Sequence, residues 1–476
     1  MVSANSSTNR YTTQGFLGRV QYDYNGKIFV SGSYRRDASS RFAEGHRWGN
    51  FGSAGAAWLI SSEDWFKVKP VDMLKLKVSY GIQGNDNIGG YYPYSDQYNH
   101  SWSETDGYKV EKVYVGNEEL TWETSKSFNI GLDFELLKGY LNGTFEWFSR
   151  KTEDLLYSKS VPQSAGNPTG AIPVNVGSIL NRGFELSLDG KILATKNIYW
   201  TWNANFSHYV NEILELDESV SENGIRTGNR ILMVGGSIYD AYMFKYAGVN
   251  PTTGQAQYYS EVLLDKNGEP TTTAVQRPTQ KQIDDKATTT VVTTNFANAT
   301  QYNLGSVLPK LFGGFGTSFN AYGFDLSCQL SFQLGGKYYD GSYQALMHTQ
   351  AAAGQAWHKD ILNAWTPENT NTDVPRNDGD VQVAQSALDR FMISSNYLSL
   401  NNVTFGYTLP TKFTKKFGVD GLRLYVAGDN LAVLTARKGV DPRFSMGLGS
   451  MTSGTGLNSG YYSAMRSITG GITLTF

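Results

Sequence analysis

Side chains suited to binding sugars are concentrated in the stretch Gly84–Ser125. This stretch interleaves aromatic residues with Asn, Asp and Glu. An aromatic ring offers a flat apolar face and a polar tip, which suits stacking on a sugar ring beside hydrogen-bonding side chains. The candidate substrate-binding residues are Tyr91, Tyr92, Tyr94, Tyr98, Trp102 and Tyr108. The same rings would also serve to pack the stretch against its neighbours or against a covering protein, so the sequence leaves both roles open.

Patterns for catalysis and metal binding are weak. Asp133 and Glu135 lie two residues apart on one strand face. We interpret them as ordinary charged residues that face a wet interior rather than as a catalytic acid–base pair. Asp265–Gly268 and Asn377–Asp380 carry clustered oxygen ligands of the kind that calcium prefers, but turn formation explains both. The sequence shows no zinc spacing, phosphate-binding loop or nucleophile elbow. We expect no enzyme activity, no metal site and no cofactor, with loop-bound calcium left as an alternative.

Composition limits the partners. The chain has 476 residues and a formal net charge of -2, so it has no large basic field to attract nucleic acid. The single cysteine, Cys328, excludes an internal disulfide framework. No apolar run is long enough for a membrane-spanning helix. The first ten residues lack the apolar segment of a signal peptide, and we interpret the chain as part of a larger protein.

The elements that must position these side chains are strands. In Arg466–Phe476, Ile468, Ile472 and Leu474 alternate with small polar residues, and side chains of a strand point alternately to its two faces. A strand of roughly 9–11 tilted residues spans a bilayer, and contact with lipid on one face and water on the other produces this alternation.

Similar segments recur along the chain. They are Gln14–Tyr24, Lys27–Arg36, Gly49–Ile60, Met73–Gln83, Lys126–Leu137, Tyr140–Arg150, Arg182–Asp189, Asn197–Val210, Phe312–Asn320, Phe324–Leu334, Tyr397–Leu409 and Leu422–Leu431. The alternation changes phase near Asn401 and Asn402, which predicts a β-bulge. With the terminal segment, the sequence predicts about thirteen strands.

Connections of two kinds alternate between these segments. The short and mid-length ones are Asn25-Gly26, Ser61–Asp72, Lys138-Gly139, Gly190–Lys196, Ala321–Gly323 and Pro410–Gly421. The long ones, which we expect to be irregular, are Asp37–Trp48, Gly84–Ser125, Lys151–Asn181, Asn211–Leu311, Gly335–Ser395 and Ala432–Met465. This layout predicts an all-β, antiparallel transmembrane β-barrel with short periplasmic turns and long extracellular loops. We interpret Asn211–Leu311 as a docking surface or a partly mobile segment.

The strand count and the aromatic residues lead to two further expectations. Bacterial single-chain barrels close with an even number of strands, so about thirteen strands require others from outside this sequence or from another chain. Outward-facing aromatic residues near strand ends are expected to anchor the barrel at the membrane interface. These anchors are Tyr22, Tyr24, Trp147, Trp200, Trp202 and Phe332.

Several stretches have a recognisable composition: Gly18–Asp37 followed by Ser40-Arg41-Phe42, Tyr242–Thr253, Trp365–Arg376, Tyr397–Pro410, Leu422–Leu431 and the Phe476 ending. Together they resemble the SusC/RagA family of TonB-linked outer-membrane transporters of the Bacteroidetes. Their order matches that of the family, and the resemblance covers essentially the whole chain. It implies that Phe476 is the terminus used in barrel assembly.

The resemblance also implies a function and partners. Members are barrels of about 22 strands with an amino-terminal plug, and they import oligosaccharides or peptides. A SusD-like surface lipoprotein caps the extracellular side, and the TonB complex supplies energy. Residues 1–476 would then form the carboxyl-terminal part of the barrel in outer-membrane lipid, and the plug domain that engages TonB would lie outside this chain. The alternative is a soluble or surface-attached carbohydrate-binding β protein that uses the same aromatic residues.

Overall fold

The computed structural model describes residues 8–105, 107–162, 164, 167–347, 356–377, 387–439, 441–444 and 464–476. Its strands are β1 (Thr13–Tyr24), β2 (Ile28–Ser39), β3 (Trp48–Leu59), β4 (Val71–Asn85), β5 (Gln97–Ser103), β6 (Gly107–Tyr114), β7 (Glu123–Leu136), β8 (Leu141–Glu153), β9 (Leu156–Ser160), β10 (Ala171–Asn175), β11 (Ser178–Ala194), β12 (Ile198–Glu215), β13 (Ile225–Thr227), β14 (Arg230–Leu232), β15 (Asp240–Phe244), β16 (Tyr246–Val249), β17 (Ala256–Leu264), β18 (Pro270–Val275), β19 (Thr288–Thr293), β20 (Gln301–Ser306), β21 (Leu311–Ala321), β22 (Phe324–Leu334), β23 (Lys337–Tyr339), β24 (Met392–Ser394), β25 (Tyr397–Thr408), β26 (Gly421–Thr435) and β27 (Ser467–Thr475).

Helices are short. The α-helices are Glu218–Ser221, Gln280–Asp284, Gly341–Leu346 and Thr411–Thr414, and the 3₁₀ turns are Ile60–Ser62, Phe296–Asn298, Lys359–Asn363, Asp389–Phe391, Lys415–Phe417 and Pro442–Phe444. Within the described residues, no helix has the length and apolar character needed to cross a membrane.

Thirteen strands form one antiparallel sheet. The hydrogen-bonded order is β1-β2-β3-β4-β7-β8-β11-β12-β21-β22-β25-β26-β27. Each of these strands overlaps one of the predicted segments, so the predicted fold class is confirmed. Several strands are longer than predicted, and β11 extends to Ser178–Ala194. Backbone pairing continues past the last apolar residue of a segment because ladder hydrogen bonds do not depend on side-chain polarity.

The chain divides into two compact units, described separately. The first unit contains residues up to Leu186 together with Glu212–Asp217, and the second contains Ser187–Asn211 and Glu218–Phe476.

Strand register in the first unit produces two chemically different faces. One row across five strands is apolar and consists of Tyr22, Val30, Ala56, Val78 and Ile130. The adjacent row, on the opposite face, consists of Gln21, Ser31, Gly55, Ser79 and Asn129. The alternation within each strand is therefore in phase between neighbouring strands, as a membrane wall requires.

The second unit repeats this arrangement. One row consists of Phe324, Tyr407, Leu424 and Ile472, and a row on the other face consists of Ser327, Thr404, Ala427 and Thr469. The pairing register shifts between Leu400 and Asn402, which confirms the predicted bulge. The bulge returns the later residues of β25 to the correct faces of the sheet.

The long loop Asn211–Leu311 is not irregular, and that prediction was wrong. It contains two four-stranded sheets, one in the order β13-β14-β15-β20 and one in which β17 pairs with β16, β18 and β19. Most of these strands have only three to six residues, which is too short for alternation to stand out in the sequence.

A water-excluded core lies in the loops of the second unit. Its fully or almost fully buried members include Met243, Tyr258, Tyr339, Leu388 and Phe391. In contrast, all twelve residues of β1 are exposed. The apolar side chains of this core are thus covered by protein, whereas the apolar side chains of β1 are not, and lipid covers the apolar face of the wall in a barrel.

Candidate functional site

The aromatic stretch Gly84–Ser125 folds into a β-hairpin made by β5 and β6. Trp102 pairs with Tyr108, and Tyr98 pairs with Lys112. Since residues two apart share a face, one side of the hairpin, the aromatic face, presents Tyr98, His100, Trp102, Tyr108, Val110 and Lys112. Trp102 and Tyr108 are each 67% exposed and Tyr98 is 55% exposed. The opposite side presents Asn99, Ser101, Lys109 and Glu111.

Hydrogen bonds at the base of the hairpin hold this face in place. The Lys112 ammonium donates to Asp96 Oδ2 at 2.5 Å, and the Gly116 N–H donates to Asp96 Oδ1 at 3.0 Å. These two hydrogen bonds lower the pKa of Asp96, and the bond from Lys112 has the larger effect. The same bond to Asp96 raises the pKa of Lys112. Lys112 Nζ also lies 5.7 Å from the centroid of the Tyr98 ring.

Two of the aromatic rings on this face already stack on each other. The His100 and Tyr108 rings have centroids 6.0 Å apart and an interplanar angle of 15°. His100 and Lys112 were not among the predicted substrate-binding residues. The alternation within 97–103 would have identified His100, because it shows which positions of that strand share a face with Trp102. Lys112 lies on β6, and only the pairing of β5 with β6 places it on this face.

The other three predicted residues lie outside this face. Tyr91 is 41% exposed. The Tyr92 hydroxyl accepts a hydrogen bond from the Arg10 N–H at 3.0 Å. Tyr94 is half-buried. Its backbone lies so close to Gly116 that a Cβ built on Gly116 would be 2.5 Å from the Tyr94 carbonyl carbon. The structure thus groups Tyr98, Trp102 and Tyr108, and contact of any of the six with substrate stays a prediction.

Most of the predicted anchors lie near strand ends. Tyr22 and Tyr24 lie in the last three residues of β1 and are 61% and 51% exposed. Trp200 and Trp202 lie among the first five residues of β12, and Phe332 lies near the end of β22. Their role as membrane anchors stays a prediction, as does the assembly role of the exposed Phe476.

The location predicted for Trp147 was wrong. It is the seventh of thirteen residues in β8 and therefore lies in the middle of that strand. The sequence pattern ended at Arg150, but pairing with β7 continues through Glu153, so the midpoint of the strand moved toward Trp147.

The two candidate calcium turns give little support for a metal. The Asp265 carboxylate accepts the N–H groups of Asn267 and Glu269, each at 2.8 Å, and these backbone bonds lower its pKa. It therefore acts as a turn former. Of Asn377–Asp380, only Asn377 is among the described residues. No group of three or more potential ligands from His, Cys, Asp and Glu is placed to hold a metal in the described ranges, and calcium stays a prediction.

The acidic pair on β7 is part of the polar face of the wall. Lys77 Nζ lies 2.6 Å from Asp133 Oδ1, and the Thr144 hydroxyl donates to the same oxygen at 3.0 Å. Glu135 pairs across the ladder with Asn142. These contacts support the interpretation of the two acids as ordinary charges on a polar face.

The strand arrangement defines a class of protein. A thirteen-stranded antiparallel sheet with an apolar face, a polar face and alternating short and long connections is the wall of an outer-membrane β-barrel. The chain belongs to the family described as TonB dependent receptor-like, beta-barrel, which it matches over residues 2–431. It is accordingly an outer-membrane protein, and the soluble alternative is wrong.

Individual relatives agree with this assignment. The chain is 28% identical over 487 residues to the TonB-dependent receptor P3 of Formosa agariphila, covering 97% of this chain and 45% of that protein. It is 28% identical over 455 residues to the TonB-dependent receptor SusC of Bacteroides thetaiotaomicron, covering 92% of this chain and 42% of that protein. These matches confirm the resemblance to SusC. The chain spans less than half the length of these relatives.

A solved structure shows the same fold. In the structure of the RagAB peptide transporter, one chain superposes with a TM-score of 0.80 at 26% sequence identity, and the match covers 98% of this chain and 48% of that one.

Proposed function

We propose that this chain contributes wall strands and extracellular loops to an importer that takes up oligosaccharides or peptides across the outer membrane by the TonB-dependent route. The observation that carries the proposal is the two-faced, thirteen-stranded wall combined with similarity to SusC and to the RagAB peptide transporter over nearly the whole chain. The wall would separate lipid from a wet passage, and the loops would meet the substrate first.

The aromatic face is the proposed point of contact with substrate. Its exposed rings, Tyr98, Trp102 and Tyr108, offer stacking surfaces, and Lys112 and His100 place polar groups beside them. Sugar rings and the side chains of peptides both bind to such a surface. Tyr91, Tyr92 and Tyr94 would support the same loop. The role is capture and passage, and no step in it makes or breaks a covalent bond of the substrate.

Three partners follow from this role. A SusD-like surface lipoprotein would cover the extracellular loops, outer-membrane lipid would cover the apolar rows of the wall, and the TonB complex would act on the full-length receptor. Nucleic acid is not an expected partner, because the chain has a formal net charge of -2 and so lacks a basic field.

Substrate depletion by cells tests the proposal. A strain lacking the gene, and the same strain carrying the full-length wild-type gene, would each be given a defined mixture of oligosaccharides and peptides. Mass spectrometry of the medium would show which compounds disappear. We expect at least one compound class to be depleted only by the complemented strain, and only while the TonB system is intact. Identical depletion by both strains would contradict the proposal.

A further inference from the structure

A cavity of about 600 Å³ lies at the loop end of two wall strands in the second unit. Gly335 and Gly336 follow the end of β22, and Asn396 precedes the start of β25. The opposite ends of these strands join neighbouring strands through the short and mid-length connections, so this cavity lies on the side of the long, extracellular loops. Its lining also includes Lys245, Lys337 and Asp389.

Two lysines supply positive charge to the cavity without being neutralised by ion pairs. Neither Lys245 nor Lys337 has a carboxylate within ion-pair distance in the described part of the chain. Lys337 is exposed, and its backbone N–H donates to the Val307 carbonyl at 3.1 Å, which fixes the start of its side chain. Lys245 Nζ lies 4.6 Å from the centroid of the Tyr302 ring, so an aromatic face orients this ammonium group.

Among the described residues that line the cavity, Asp389 is the acidic group, and the backbone already engages it. Asp389 Oδ1 accepts the Tyr246 N–H at 2.8 Å. The lining therefore carries two positive charges and one negative charge, and the charge of Asp389 interacts with that of Lys245. Lys337 is left as the ammonium group that has no nearby carboxylate in the described residues, so it is the one that an incoming anion would meet first.

Amide and hydroxyl groups complete the lining. The Asn396 side-chain oxygen accepts the Gly335 N–H at 2.7 Å, and the Ser394 hydroxyl oxygen accepts the Asn396 N–H at 3.2 Å. Because the oxygen of the Asn396 amide is thus occupied, its NH₂ group is the part left to donate. Met392 and Ile393 add apolar surface, which would contact the carbon skeleton of a ligand.

We propose that this cavity binds an oxyanion, either a sulfate ester or a carboxylate, carried by a small ligand at the extracellular rim. Lys337 is the principal charge partner, Lys245 is the second, and the Asn396 amide donates to the same group. Charge-assisted hydrogen bonds of ammonium groups to oxyanions are the strong ones. The site selects acidic ligands over neutral ligands of the same shape, and it binds them whether or not the protein transports them.

Calorimetric titration of the full-length protein in detergent tests the proposal. The sugar probes are glucose 6-sulfate, glucuronate and glucose, which differ in the acidic group. N-acetyl-aspartate α-amide, whose side-chain carboxylate is free, and the neutral N-acetyl-asparagine α-amide provide the same comparison for a peptide source. We expect the acidic member of at least one set to bind about tenfold more tightly than the neutral member, with an affinity that falls as salt is added. The set in which this occurs identifies the source of the oxyanion.

Variants locate the binding site. Lys337→Met is expected to weaken binding of the acidic probe about tenfold, while Lys337→Arg retains it. The matched control is Lys412→Met, an exposed lysine in the connection between β25 and β26 at the other end of the same strands, which should bind as the wild type does. Only protein that migrates as folded barrel before heating would be titrated.

Two results would overturn the proposal. One is equal affinity of the wild-type protein for acidic and neutral probes in both sets, which needs no variant to interpret. The other is an acidic preference that persists unchanged in Lys337→Met and in Lys245→Met. Failure of uptake in the depletion experiment would leave binding to the purified protein unaffected, so the two proposals fail separately.

Discussion

Arg423 on β26 reaches across β25 to form a two-pronged ion pair with Asp325 on β22. Arg423 Nε lies 2.9 Å from Asp325 Oδ1, and Nη2 lies 2.5 Å from Oδ2. The pair passes over Gly406, which is the partner of Asp325 in the ladder. A Cβ at Gly406 would lie 2.6 Å from Asp325 Oδ1 and 2.7 Å from Arg423 Nη2. Glycine at this position therefore leaves room on the polar face for an ion pair between β22 and β26, which are not neighbours in the sheet.

Gly406→Ala should disrupt this ion pair and destabilise the sheet. We expect a loss of about 1 kcal/mol, because both charged side chains are partly exposed and screening limits the value of the pair. Urea unfolding of the full-length protein in lipid vesicles measures the change. The control is Gly470→Ala on β27, where a Cβ would meet nothing within 4 Å. The cost at Gly406 should vanish when Asp325 is already Ala, which removes the carboxylate and leaves Arg423 free to move; the same cost in both backgrounds would show that the ion pair is not its cause.

Leu76→Arg and Lys77→Gln should separate the two faces of the wall. Leu76 lies between Trp58 and Leu132 in an apolar row, and an Arg on the lipid face near the midplane costs about 2–4 kcal/mol. Lys77 forms its ion pair with Asp133 on the polar face, and removal of a partly exposed pair costs about 1 kcal/mol or less. Denaturant titration of the refolded barrel compares the variants, and equal costs would contradict the face assignment.

Removal of two rings from the aromatic face should weaken substrate capture without destabilising the protein. Each stacked ring contributes roughly 0.5–1.5 kcal/mol, so Trp102→Ala combined with Tyr108→Ala should lower affinity for the transported compound about tenfold. Both rings are largely exposed, and the unfolding midpoint should not change. Ser101→Ala, on the opposite side of the hairpin, is the control. Unchanged affinity in the double variant would exclude a role of this face in capture.

The hairpin base should open in acid. The pKa of Asp96 is lowered below its ordinary value of 3.8, so its contribution is present above that pH and is lost as pH falls through the lowered value. The pKa of Lys112 is raised above 10.5, so its contribution is present below that pH and is lost as pH rises through the raised value. The base should therefore stay closed at neutral pH.

Hydrogen exchange of the β5 and β6 amides would detect this opening. We expect faster exchange below about pH 4, after correction for the intrinsic pH dependence of exchange. Asp96→Asn should exchange rapidly at neutral pH and lose the acid transition. An acid transition of the same size in that variant would assign the opening to another group.

Much of the wall was predictable from the sequence, whereas its precise extents were not. Alternation placed all thirteen wall strands and the bulge at Asn401, because the pointing direction of successive side chains is a local property of extended backbone. The middle position of Trp147 depended on how far β8 pairs with β7, which is decided by the partner strand.

The sequence likewise showed that aromatic residues are concentrated in Gly84–Ser125, but it did not show which of them lie on the same face. Which rings would share a surface depended on the hairpin register that pairs Trp102 with Tyr108. Tyr92 and Tyr94 were separated from the other rings by contacts with Arg10, which lies far away in the sequence, and with Gly116, on the far side of the hairpin.

The sequence by itself determined that this protein is built from strands with one apolar and one polar face, because the alternation of polarity lies within each strand and does not depend on its partner strands. Only the tertiary structure decided where its charges are satisfied. Lys77 forms an ion pair with Asp133, and Arg423 forms one with Asp325 two strands away. Lys245 and Lys337 line one cavity without such a partner in the described residues. Electrostatic pairing depends on distances in space between residues far apart in the chain, and no local pattern records them.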